Sequence, residues 1–301
     1  MYKHFYGFSD LPFSLLPDAN FLFLSKYHRQ ALNFLEYGIL NQAGFIVITG
    51  DIGTGKTTVI RHFLKGENKD ITVGIITNPS KTLGHLLNRI TMEFELDDAT
   101  GQLPTEAYDR FVTFLLAQYA QGKRTILIID EAQNLSAETF DELRMLSNVN
   151  NDKDQLLQII LVGQLGLLET LNRTELRQFT QRVSIHCKLD PLTATETTAY
   201  IRHRLNLVGG STELFDDTTC SVIHFFTEGI PRLINLLCEQ TLVYGFSEDK
   251  PHLTPEMVTE VVLDRARSGL SAFRVLPEGW NTKNSDDIRQ EIRSANAPEN
   301  P

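Results

Sequence analysis

The chain has 301 residues, 42% of them hydrophobic and 22% charged, with a formal net charge of −10, values of a globular protein with room for one large or two modest domains. That charge argues against a surface coated throughout for nucleic acid, because phosphate neutralisation needs clustered Lys and Arg. No window reaches the roughly eighteen uninterrupted apolar residues of a membrane span, and the opening Met1-Tyr-Lys-His-Phe-Tyr6 lacks the apolar core of a signal peptide, so a cytoplasmic location is expected.

The first 43 residues are rich in aromatics, with Tyr2, Phe5, Tyr6, Phe8, Phe13, Phe21 and Phe23 punctuated by Pro12 and Pro17. They read as an irregular packed arm followed by a helix over Tyr27–Gln42, whose apolar face carries Ala31, Leu32, Leu35 and Ile39. That helix would either close over a bound base or cover a sheet.

From Gly44 to Asp190, five apolar runs predict buried strands at Phe45–Thr49, Val73–Thr77, Thr125–Asp130, Gln158–Val162 and Ile185–Leu189. Helical patterns at Lys56–Lys65, Thr82–Phe94, Thr105–Gln121, Ala137–Asn148 and Leu165–Gln181 alternate with them. The alternation predicts one α/β domain, a five-stranded parallel sheet with helices on both faces. From 191 to 268 the strand signals stop, and Thr195–Leu207, Asp217–Glu228, Pro231–Phe246 and Pro255–Arg267 predict a small all-helical domain. Residues 269–301, polar and without periodicity, read as a mobile tail. Cys187, Cys220 and Cys238 lack metal-ligand spacing and read as small core residues in a reducing compartment.

Gly50, Asp51, Ile52, Gly53, Thr54, Gly55, Lys56 and Thr57 form a complete G-x4-G-K-[ST] loop between a strand and a helix, with Thr58 following. In such a loop backbone N–H groups turn inward around the β-phosphate of a nucleotide and the helix N-terminus adds its positive end. Lys56 supplies a point charge for the β- and γ-phosphates, and the Thr57 hydroxyl ligates Mg2+. Further on, Ile126-Leu-Ile-Ile-Asp130-Glu131 is an apolar strand ending in two carboxylates. Asp130 suits the Mg2+ hydration shell, and Glu131 is placed to polarise the attacking water as general base. ATP and Mg2+ are thus the expected ligands, in a cleft between the sheet and the helical domain.

The Asp130-Glu131 order resembles the P-loop ATPases with a glutamate directly after the aspartate, and that resemblance implies a further strand between the loop strand and the Asp-Glu strand with a polar side chain at its tip; Ile159-Ile-Leu-Val-Gly163-Gln164 fits, with Gln164 sensing the γ-phosphate or the water. Arg182, at a helix end before Ile185, resembles in position the arginine that AAA+ ATPases donate to a neighbouring subunit's site, which implies it as the first candidate for that role; Arg177 is the reserve. Arg173 lies near both, and Arg202 with Arg204 forms a second close grouping; these read as solvated helix faces or nucleotide-linked arginines. In Glu228-Gly229-Ile230-Pro231-Arg232, Gly ends one helix and Pro starts the next, so Arg232 projects from a first turn; Gly-x-Pro-Arg after a P-loop core resembles the second sensor of AAA+ ATPases, and that resemblance implies the role for Arg232.

With loop, carboxylates, sensors and Gly-x-Pro-Arg in order, the sequence resembles the AAA+ P-loop ATPases of the ExeA/GspA type, the general secretion pathway protein A group. The opening Tyr2-Lys-His-Phe-Tyr-Gly-Phe8, with Pro12-Phe13 and Pro17-Asp18, narrows the likeness to that group. The resemblance implies an ATPase working as a ring or helical homo-oligomer, with a protein partner in secretion- or pilus-type envelope assembly. Longer members carry a membrane helix and a wall-binding domain after the helical domain; neither is read here, so no direct membrane span is expected. The same core resembles the TniB and TnsC regulators of DNA transposition, which implies the alternative of an ATP-dependent binder of duplex DNA that recruits a transposase.

Overall fold

The computed structural model describes residues 1–16, 18–66, 70–77, 79, 86–96, 104–151, 154–269 and 271–274. Contacts divide it into two units: Lys26–Ile52 with Lys56–Leu189, and Met1–Ser25 with Gly53–Gly55 and the described residues from Asp190 onward. The chain opens with one helical turn, α1 (Tyr2–Phe5), before the first unit's α2 (Lys26–Leu40), β1 (Phe45–Gly50), α3 (Lys56–Lys65) and β2 (Ile71–Ile76). Next come α4 (Leu86–Glu93), α5 (Pro104–Ala120), β3 (Arg124–Ile129), α6 (Ala137–Leu146) and two-residue strands β4 (Asn150–Asn151) and β5 (Asp154–Gln155). That unit ends with β6 (Leu157–Gly163), α7 (Gly166–Leu171), α8 (Arg177–Thr180) and β7 (Val183–Leu189).

Five strands form one parallel sheet in the order β2-β3-β6-β1-β7. Side chains alternate across it with period two. Phe45, Val47, Leu127, Ile129, Ile159 and Leu161 face a core with α4 to α8, while Ile46, Ile48, Ile126, Ile128, Ile160 and Val162 face α2 and α3. Every residue of β1 and β6 is buried, whereas the edge strand β7 largely alternates between partly covered or buried and exposed positions. Burial on both faces is what makes the central strands read as unbroken apolar runs.

Helix α2 covers the sheet through Ala31, Leu35 and Ile39, one of the two placements the sequence left open. Its last turn and the residues leading into β1 are tied down by side chains from two strands: Arg124 donates to the Ile39 carbonyl, and Gln158 Nε2 to those of Gly38 (3.0 Å) and Ala43 (3.2 Å). The Gly38 and Ile39 carbonyls also accept the Ala43 (2.8 Å) and Gln42 (3.3 Å) N–H groups, so each is shared between a backbone and a side-chain donor.

The sequence predicts one helix over Leu165–Gln181, but the structure breaks it into α7, a 3-10 turn at Thr174–Leu176, and α8. Asn172, Arg173, Thr174 and Glu175 are four consecutive exposed residues with no apolar side chain to anchor a helical turn. Arg173 is extended there (φ −65°, ψ 143°). The Leu171 carbonyl released by the break accepts the Thr180 hydroxyl at 2.6 Å. The helix expected from Thr82 is seen from Leu86; its opening residues lie outside the described ones.

The second unit contains α9 (Ala194–Leu207), α10 (Asp217–Thr227), α11 (Pro231–Ser247) and α12 (Pro255–Arg267). Local chemistry sets their starts: a capping box of Thr193 and Glu196 for α9, the Asp216 carboxylate on the Thr219 N–H for α10, and proline in the first turn of α11 and α12. The aromatic arm completes this unit's core. Phe13 is fully buried and packs edge-on against Phe215, ring centroids 6.0 Å apart; burying such a side chain contributes about 2–3 kcal/mol. Tyr2 donates to Glu239 Oε1 at 2.6 Å. Arg204, 6% exposed, donates to the Pro12 carbonyl and to Tyr200 Oη (2.8 Å), with its guanidinium 4.7 Å from the Phe21 ring centroid. Arm and helices are thus held by a desolvated cation as well as by apolar packing.

Within the segment read as a polar tail, Phe273 is buried in the same core and the Arg274 N–H donates to the Phe226 carbonyl at 2.9 Å. Residues 275–301 lie outside the described ones. All three cysteines are free and buried, and burial pushes the Cys220 thiol up to about 12.

Candidate functional site

The G-x4-G-K-[ST] loop leaves the carboxyl end of β1 and runs into α3. Gly53 and Gly55 hold φ of 85° and 99°, a region open to glycine and strained for residues with a Cβ. Asp51 and Ile52 are exposed, Thr54 is buried, and Thr57 and Thr58 are partly covered. Lys56 is 7% exposed, and its ammonium donates to the Gly50 and Asp51 carbonyls, 2.9 Å each. Burial pulls the Lys56 pKa below the ordinary lysine value, against the opposing charges of Glu131, Asp130 and Asp51.

The carboxylates follow β3. Asp130 Oδ2 accepts the Thr57 hydroxyl at 3.0 Å, and Oδ1 accepts the Glu131 N–H at 2.9 Å. The Asp130 N–H donates to the Ile76 carbonyl at 2.9 Å, so its backbone is fixed by the neighbouring strand. Glu131 is left-handed (φ 56°, ψ 37°), which turns the chain sharply and aims its side chain differently from that of Asp130. Hydroxyl and carboxylate oxygens are the hard donors that suit Mg2+, which keeps several waters and needs few protein ligands. No cluster of three His, Cys, Asp or Glu that could hold a metal ion occurs among the described residues.

Gln164 follows β6, and β6 lies between β1 and β3, the strand order expected from the sequence. Its Nε2 is 3.3 Å from Glu131 Oε2. Gln133, passed over in reading the sequence, donates from Nε2 to the same oxygen at 2.5 Å and accepts the Gln164 N–H on Oε1 at 2.9 Å. The one available signal was an amide two positions beyond the Asp-Glu pair. Nearby, the Thr49 hydroxyl and His186 Nε2 lie 2.9 Å apart, linking β1 to β7.

The two candidate arginines differ in what they touch. A single guanidinium nitrogen of Arg182 meets the Arg144 carbonyl (3.2 Å), Ser147 Oγ (3.0 Å) and Asn148 Oδ1 (2.5 Å), all at the C-terminal end of α6. Arg177 is exposed at the start of α8, with no side-chain hydrogen bond or ion pair among the described residues. In the helical unit, Arg232 is exposed in the first turn of α11, and its N–H donates to the carbonyl of Gly53, which groups with that unit, at 3.2 Å.

A family model described as an AAA domain matches residues 39–171. General secretion pathway protein A of Aeromonas hydrophila is 39% identical over 250 residues, covering 82% of this chain and 45% of that protein. A Mu-like prophage DNA transposition protein B of Haemophilus influenzae is 30% identical over 137 residues, covering 45% of this chain and 42% of its own length. The chain therefore spans less than half the length of either relative. Among solved structures, the Aeropyrum pernix ORC2 protein in ADPNP–ADP complexes aligns over 89% of this chain and 78% of its own, with a TM-score of 0.59 at 15% identity, a likeness of fold. Sheet order, loop and carboxylate strand agree with these similarities: the chain has the AAA+ P-loop fold, and its likeness runs to general secretion pathway protein A and to transposition protein B.

Proposed function

We propose that this protein binds ATP with Mg2+ at Gly50–Thr58 and hydrolyses it to ADP and phosphate, acting as a homo-oligomer in the assembly of a secretion- or pilus-type envelope complex. The observation that carries the chemistry is the convergence of Thr57, Asp130 and Glu131 beyond the ends of β1 and β3. The similarity to general secretion pathway protein A supports the process. Bound Mg2+ would supply charge neutralisation for the phosphates, held by Thr57 and Asp130. Lys56 binds the β- and γ-phosphates, the loop amides orient them, and Glu131 takes a proton from the attacking water. Gln164 and Arg232 report the state of the γ-phosphate.

Hydrolysis spreads charge onto the transferred phosphoryl oxygens, and an arginine from a neighbouring subunit stabilises it. Arg177 fits this role better than Arg182. Its guanidinium is exposed with no side-chain partner, whereas that of Arg182 is engaged by three acceptors at the end of α6, where it satisfies helix-terminal groups. Under assembling conditions, Arg177→Ala is expected to lower turnover on the order of 10²-fold with ATP binding retained. Arg182→Ala should chiefly lower stability, by about 1–2 kcal/mol. Unchanged turnover in Arg177→Ala would remove that assignment.

The similarity to transposition protein B favours a second reading, an ATP-dependent switch on duplex DNA that recruits a transposase. Turnover and sedimentation with and without duplex DNA, at two salt concentrations, separate the two. DNA-stimulated, salt-sensitive turnover with co-sedimentation selects the second reading, because phosphate contacts weaken with salt. Indifference to DNA leaves envelope assembly in place.

A further inference from the structure

Glu131, the base of the proposed hydrolysis, does not stand alone at the end of β3. Gln133 and Gln164 both donate to Oε2, at 2.5 and 3.3 Å, and Oε1 accepts no hydrogen bond among the described residues. Two donors on one oxygen fix the carboxylate's rotation and leave the other oxygen open to take a proton from water.

The orientation of the Gln133 amide follows from its surroundings. The Gln164 backbone N–H is an obligate donor, so the atom facing it at 2.9 Å must be the Gln133 oxygen. The NH2 group is then turned to the carboxylate. One side chain thus grips the base at the end of β3 with its donor and the end of β6 with its acceptor. Its place is kept by Gly163, where an added Cβ would come 3.0 Å from Gln133 Oε1 and 2.9 Å from Leu167 Cδ2.

We infer that Gln133 is the positioning residue for Glu131, holding the carboxylate in register with the end of β6 so that Oε1 faces the attacking water. The inference rests on the ATPase reading above. It makes the base follow any movement of the Gln164 end of β6. Gln133 acts through Glu131 and need not touch the nucleotide.

Two variants test it, Gln133→Glu and Gln133→Met, measured with the full chain for kcat, KM for ATP, affinity for Mg·ADP and thermal midpoint. Gln133→Glu keeps the size and the acceptor for the Gln164 N–H but sets a charged oxygen against Glu131 in place of the donor. Gln133→Met keeps the bulk without either polar group. Both are expected to lower kcat by roughly 10–100-fold, with KM and Mg·ADP affinity within about threefold of the parent. Retention of kcat within about twofold in either variant, or a loss seen only in KM, overturns the inference. The parent and Glu131→Gln, assayed beside them, locate a failure. An active parent silenced by Glu131→Gln, with active Gln133 variants, removes this inference alone. A parent without turnover, or one that Glu131→Gln leaves unchanged, removes the ATPase reading and this inference together.

Discussion

Glu131→Gln is expected to lower ATP turnover on the order of 10²–10³-fold while Mg·ATP remains bound. The substitution keeps the side chain's shape, and an amide oxygen still accepts from Gln133 and Gln164, so the turn after β3 is preserved. What is lost is the capacity to take a proton from water. Lys56, Thr57 and Asp130, the proposed phosphate and metal ligands, do not depend on the Glu131 charge for their own hydrogen bonds. Single-turnover kinetics on the preloaded protein read this directly: nucleotide retained, cleavage slowed. Cleavage at the parent's rate would mean that another group activates the water.

The largest effect on stability is expected at Gly229. It holds φ +73°, and a Cβ there would lie 1.9 Å from the Leu192 carbonyl oxygen, a backbone atom that no rotamer change can move aside. The Leu192 N–H also donates to the Gly229 carbonyl at 2.9 Å, so the two segments are bound face to face. Gly229→Ala therefore breaks that approach or strains a left-handed position, at a cost on the order of 4 kcal/mol. Urea unfolding measures it. A loss below about 1 kcal/mol would mean that the connection between α10 and α11 yields easily.

The parts of this molecule most legible in sequence were those fixed by burial and by short-range chemistry. Strands β1, β3 and β6 carry β-branched runs because helices cover both faces, and α3 begins at Lys56 because the glycine-rich loop ends there. The α7–α8 break was hidden because leucines at 165, 168 and 171 keep a helical spacing up to the point where four exposed residues interrupt it. Gln133 carried no periodicity, and its importance lies in a bond to a strand end 31 positions away. Chain position put Arg182 ahead of Arg177, and the reversed order proposed above rests on acceptors that folding brings to Arg182 from the end of α6. The aromatic arm was evident by composition, but its partners were not: Tyr2 meets Glu239 across 237 positions of sequence.

Isothermal calorimetry of the parent and of Lys56→Ala with Mg·ATP reads nucleotide binding by the Gly50–Thr58 loop without relying on turnover. Saturable single-site binding in the parent, weakened on the order of 10²-fold when the buried ammonium is removed, is the predicted result. No binding in the parent, or equal binding in both proteins, would contradict it.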